Sequence, residues 1–209
     1  MHSARVFPGP RSAEEFDKKA ISMKNALALA LVLLTALECA APIKQFYPGT
    51  YFPEDRIYQN KTIGFSFSYR GNCEISTDPN EMREHKPYIK ELHKLGAELL
   101  FMGNTVEKTQ GTRGIVFNLN KSNKEYAEYI RKINSQDQQV DSGLADCDKA
   151  NLPMVKWLYE KEGFRFVEYF VKVDTYNVRI AFWTTPDLFP NFLPVYEEIM
   201  GTFTVTGRN

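Results

Sequence analysis

Residues 164–184 read FRFVEYFVKVDTYNVRIAFWT, and this stretch decides the fold. Its first half places Phe164, Phe166 and Phe170 on one side of an extended chain and Val167, Tyr169, Val171 and Val173 on the other. A strand that is largely apolar on both sides is central and covered on both faces, because a strand with one wet face carries a polar residue at every second position. Asp174-Thr175 breaks the run and Tyr176 to Thr184 resumes it, while upstream Met154 to Tyr159 forms a third apolar run ahead of Glu162-Gly163. Three such runs with short breaks predict an antiparallel meander.

Downstream, Leu188, Phe189, Phe192, Tyr196, Ile199 and Met200 recur at helical spacing. They predict a helix over Pro186 to Met200 with Thr185 or Asp187 as cap, Pro190 in the first turn and a kink at Pro194. Thr202 to Val205 closes the fold. Upstream, the polar segment Asn134 to Asn151 contains Gly143 and shows no apolar period, so it reads as a loop. Ser122 stands three residues before Glu125, a capping box that starts a helix with Tyr126, Tyr129, Ile130 and Ile133 on one face. Glu98 to Gly103 and Gly114 to Leu119 read as strands joined across Asn104 to Arg113. Pro87 must begin or break a helix, so the charged segment 80–95 holds a short one from Pro87 to Leu95, stopped at Gly96. Ile63, Phe65, Phe67 and Tyr69 alternate with Gly64, Ser66, Ser68 and Arg70 as a half-buried strand, in a hairpin with Arg56 to Gln59. Strands and helices mix without regular alternation. The fold class is therefore α+β, a central antiparallel sheet with flanking helices in a layered sandwich.

This order, with GFSFSY at 64–69, FVEYFVKVD at 166–174, YNVRIAFWTT at 176–185 and IMGTFTV at 199–205, resembles the PsbP-like fold superfamily from Arg56 to Val205. That superfamily includes the photosystem oxygen-evolving subunit, DcrB-like bacterial envelope lipoproteins and eukaryotic Ran-binding relatives. The resemblance implies a binding or assembly-accessory role and carries over no site residues. The charged stretch 80–95 stands against it as an insertion.

A chain of 209 residues suits one domain or two small ones, and 43% hydrophobic with 25% charged residues marks a globular class, not a disordered, collagenous or multi-span one. Lys plus Arg number 26 against 26 Asp plus Glu, so no global field gathers nucleic acid, and no nucleic-acid partner is expected. Met23-Lys24-Asn25 followed by ALALALVLLTAL at 26–37 has the layout of an export signal. As a helix its twelve apolar residues reach only ~18 Å, short of a ~30 Å hydrocarbon core. Residues 1–22 read as an untranslated or disordered leader, with Met23 as the start. Cys39, just past the apolar run, resembles the lipidated cysteine of a bacterial lipobox, although Glu38 occupies the place of a small residue. The expected location is the bacterial cell envelope, membrane-anchored through lipidated Cys39; the alternatives are a periplasmic or secreted protein and an uncleaved anchor. Residues 40–55, with Pro42, Pro48, Pro53 and Gly49, read as a semi-rigid tether ahead of a single domain at 56–209.

Removing residues 1–38 leaves 21 positive and 22 negative charges, so near-neutrality belongs to the domain itself. Cys73 and Cys147 form a candidate disulfide in an oxidising envelope, or two separate reduced thiols. Phe46, Tyr47, Tyr51 and Phe52 form a candidate surface for an envelope protein partner, unless they pack back onto the domain. Trp157 and Trp183 line a groove or fill the core. His85 and His93, near Glu81, Glu84 and Glu91, read as a solvated face and not a metal site, because Pro87 intervenes and eight residues rotate the rings by ~80° on a helix. Asn60 and Asn120 head glycosylation sequons that matter only in a eukaryotic source. P-loop, GxGxxG, GxSxG and HExxH motifs are missing, so no catalytic set, metal or cofactor is expected. The rival readings are a secreted enzyme whose acid–base pair assembles only in three dimensions, and a carrier with an apolar cavity between sheet and helices.

Overall fold

The computed structural model describes residues 49–78, 80–81, 85–134 and 140–206. The leader, the export signal, Cys39 and most of the tether, including Phe46 and Tyr47, lie outside the described residues. A seven-stranded antiparallel sheet forms the middle layer, in the order β4 (Glu74–Ser76), β5 (Ala97–Asn104), β6 (Gln110–Phe117), β10 (Tyr176–Thr184), β9 (Phe164–Val173), β8 (Leu152–Lys161) and β7 (Val140–Lys149). A smaller sheet joins β1 (Thr50–Phe52), β2 (Ile57–Asn60), β3 (Phe65–Ser68) and β11 (Thr204–Val205). Three helices complete the described chain: α1 (Lys86–Lys94), α2 (Asn123–Asn134) and α3 (Phe189–Gly201).

The meander β8-β9-β10 forms as its sequence predicts, with β9 and β10 bounded by the residues named above. Val167, Tyr169, Val171 and Val173 of β9 pack into one core with Phe65, Phe67 and Phe203 of the small sheet's region and Phe189, Tyr196 and Ile199 of α3. Phe170 faces the other way, into a second core with Tyr126, Ala127 and Ile130 of α2 and Leu92 of α1. The large sheet is thus covered on both faces. The fold is an α+β layered sandwich.

Local signals place the helices. Pro87 sits in the first turn of α1, and Gly96, at φ 73°, ends it with its amide on the His93 carbonyl. The capping box closes in both directions: the Glu125 amide donates to Ser122 Oγ at 3.2 Å, and the Ser122 amide to Glu125 Oε2 at 2.9 Å. On α2 the apolar face is narrower than its spacing suggests, since Ile133 is 44% exposed.

Two readings need correction. The expected loop 134–151 contains β7, which pairs with β8 from Val140↔Glu160 to Lys149↔Leu152. An edge strand exposed along most of its length has no need of an apolar period, and its hairpin places Ala150 and Asn151 both at positive φ, 52° and 60°. The fold also begins before Arg56: Thr50–Phe52, assigned to the tether, pairs in register with Ile57–Gln59 as β1.

Candidate binding site

The candidate partner residues part company in the structure. Tyr51 is half-buried against the core and Phe52 is exposed on the other side of β1, opposite Ile57. Cys73 and Cys147 are both free. Cys73 stands just ahead of β4 and Cys147 lies in β7, at opposite edges of the seven-stranded sheet. At ~4.8 Å per strand those edges are roughly 29 Å apart, far beyond the ~7 Å between Cα atoms that a disulfide spans. Trp157 and Trp183 stand on β8 and β10 with β9 between them; Trp157 is buried and Trp183 half-buried. Asn60 is buried, its amide accepting from the Ile63 backbone at 2.9 Å and donating to Tyr58 Oη at 3.2 Å, so its sequon serves a turn. Among the described residues no three His, Cys, Asp or Glu side chains converge as metal ligands.

A hollow of about 1000 Å³ opens where both sheets end near the start of the described chain. Tyr51 and Arg56 line it from the small sheet, Glu74 and Ile75 from β4, and Met102 and Val106 from β5 and the turn beyond. Val106 is 89% exposed. Its charged lining is mixed, with Arg56 and Lys108 against Glu74 and Glu81. Cys73 also lines it, but burial pushes its thiol pKa up, and the Tyr69 hydroxyl only partly opposes this. A thiol held away from thiolate is a poor nucleophile.

The helix-side face of the large sheet carries a second feature, which the sequence reading passed over. Register lays residues in rows across it. Tyr159, Phe166, Trp183 and Gly111 stand opposite one another in one row, and Trp157, Glu168, Ala181 and Arg113 in the next. Glu168 is fully buried; its Oε1 accepts from Tyr159 Oη at 2.8 Å and lies 3.5 Å from Arg113 Nη2, and its Oε2 lies 3.5 Å from Arg179 Nη1. Arg113 reaches Glu168 because the residue between them is the small Ala181. Two guanidinium groups thus share one carboxylate inside the protein. Burial raises the Tyr159 pKa well above its ordinary value, and the Glu168 charge adds to this, keeping the phenol a donor. Arg113 Nε, Arg179 Nε, Glu168 Oε2 and Tyr126 Oη have no hydrogen-bond partner among the described residues. The signal was one Glu inside FVEYFV with a single Arg in each of TRGIVF and NVRIAF; only the strand order β6-β10-β9 brings them together.

The fold matches that of cyanobacterial PsbP (CyanoP) from Synechocystis sp. PCC 6803, with a TM-score of 0.51 over 81% of this chain and 99% of that one. The fold is PsbP-like. At 9% identity the likeness to PsbP is one of architecture alone. A Pseudomonas aeruginosa protein of unknown function (TM-score 0.36, 12% identity, 47% of this chain and 74% of that one) and a Bacteroides thetaiotaomicron protein (0.40, 13%, 68% and 45%) are more distant. No family model matches this sequence. No curated protein matches it. Among the described residues no helix is long and apolar enough to cross a membrane.

Proposed function

We propose that this chain is a non-catalytic binding or assembly-accessory module of the bacterial envelope, tethered to the membrane through lipidated Cys39 and receiving an extended segment of a protein partner in the hollow. The hollow carries the reading. It gathers half-buried Tyr51, Met102 and the exposed Val106 beside side chains of both charges, a mixture of apolar and polar groups that suits a protein partner. Strand β4 pairs only with β5 among the described strands, so its outer backbone groups suit β-augmentation. Position agrees with this. The 11 steps of chain from Cys39 to Thr50 extend at most about 40 Å, which keeps the hollow near an anchoring membrane. The sequence resemblance to a superfamily that includes DcrB-like envelope lipoproteins is in keeping with this reading.

The rivals have less behind them. The thiol in the hollow is pushed away from its reactive form. Among the described residues, the space between the large sheet and α2 is packed with Phe117, Tyr126, Trp157 and the buried charges, which speaks against the carrier reading. The test is crosslinking of the full chain in intact envelopes followed by affinity purification. A discrete envelope protein recovered with wild type and lost with Val106→Asp supports the proposal; recovery unaffected by Val106→Asp, or none from wild type, contradicts it.

A further inference from the structure

Arg113 sits at the edge of the buried charge cluster, and its surroundings have the form of a ligand site. Tyr88 of α1 and Trp183 of β10 flank its guanidinium, with Cζ 5.3 Å and 5.5 Å from the two ring centroids. Trp183 is braced by the stack Trp157–Tyr159–Phe166, whose successive centroids are 4.1 Å and 4.8 Å apart, with Trp183 a further 5.6 Å on. Its indole lies across Gly111, where a Cβ would overlap the ring, so glycine at that point lets the wall stand where it does. The charge count supplies the ligand's sign. Arg113 and Arg179 bring two positive charges to the single negative charge of Glu168. The Arg179 side chain is 6% exposed and that of Glu168 is fully buried, whereas Arg113 is 21% exposed, so the surplus charge meets solvent at Arg113. Its Nε is itself buried and lacks a hydrogen-bond partner among the described residues, so the 21% exposure belongs to other atoms of the side chain.

We propose that the slot between Tyr88 and Trp183 is a carboxylate-binding site with the edge of Arg113 as its recognition element. Aromatic rings over a guanidinium leave the N–H edge as the direction of approach. That planar fork matches a carboxylate in two-point contact, and partial burial strengthens the attraction. A surplus of one charge suits a monoanion better than a doubly charged phosphate. The carboxylate belongs to a small organic acid or to a peptide, and the two share this chemistry. The site is independent of the hollow and of membrane anchoring.

The test is a nuclear magnetic resonance titration of the full chain that follows the Arg113 Nε–H signal, with benzoate as the small probe and chloride at matched ionic strength as control. A dipeptide with a free C-terminus, and the same dipeptide amidated, form the peptide arm. The expected result is a saturable shift at Arg113 with benzoate and with the free dipeptide, none with the amide, and unchanged binding in Arg70→Gln, an exposed arginine elsewhere. Arg113→Lys keeps the charge and loses the fork, and weakens binding about tenfold. Tighter binding of the dipeptide than of benzoate assigns the site to a peptide, the reverse to a small acid, and either ranking supports it. Should the lysine variant fail to fold, the wild-type signal alone decides. No saturable shift at Arg113, or an equal shift with chloride, overturns the proposal.

Discussion

Replacing Glu168 by glutamine leaves Arg113 and Arg179 facing one another with no negative charge between them. The cost is about 3–5 kcal/mol of stability, the usual penalty for stranding a buried charge. The contact geometry alone would not give that figure, since both ion pairs are 3.5 Å long; the low-dielectric surroundings set it. Removing the more deeply buried of the two cations as well relieves part of the penalty, so the double variant Glu168→Leu with Arg179→Met should be less destabilised than Glu168→Gln alone. Urea denaturation of both variants checks the order, and a double variant less stable than the single one contradicts it. This residue also marks the limit of reading along the chain. The apolar residues of 164–173 announce a central strand, but a Glu among them gains its meaning from Arg113, 55 positions earlier, through strand pairing that no local pattern encodes.

Beyond its backbone pairing with β8, strand β7 is tied to β8 and α2 through one carboxylate. Asp141 Oδ1 accepts from Trp157 Nε1 at 2.9 Å and from the Gly143 amide at 2.8 Å, while Oδ2 accepts from Arg131 Nε of α2 at 2.6 Å. Burial alone would raise its pKa, but these donors and the Arg131 charge outweigh it and hold the carboxyl below its ordinary value. A depressed folded pKa contributes stability that is fully present above the unfolded value of about 3.9 and is lost as pH falls through the folded one. Asp141→Asn should therefore cost about 1–2 kcal/mol at pH 7 and converge with wild type in acid, a difference that thermal melts between pH 7 and pH 3 read directly. A constant gap across that range contradicts the assignment. Elements with strong local signals were legible: α2 from its Ser122–Glu125 box, α1 from Pro87 and Gly96, β9 and β10 from their runs and breaks. β7 was not, because an exposed edge strand is specified by what lies beside it.

For the whole molecule, the layered fold and the neutral charge balance followed from sequence, whereas the hollow did not, because segments 51–56, 71–76 and 102–108 meet only in the folded chain. On the proposed reading, lipidation of Cys39 sets where the molecule resides. Cys39→Ala should leave the domain folded, because the described fold begins beyond it, yet shift the protein from membrane to soluble fractions and abolish labelling by a clickable fatty acid. Unlabelled wild type in the soluble fraction contradicts the anchor. The central claim, that the hollow is where this module meets its partner, is tested most directly by a photo-crosslinking residue placed at Val106 and, as control, at Ile133, which is exposed on the helical side. The account predicts one discrete crosslinked product from Val106 in intact envelopes and none from Ile133. Equal crosslinking from both positions, or from Ile133 alone, would contradict it.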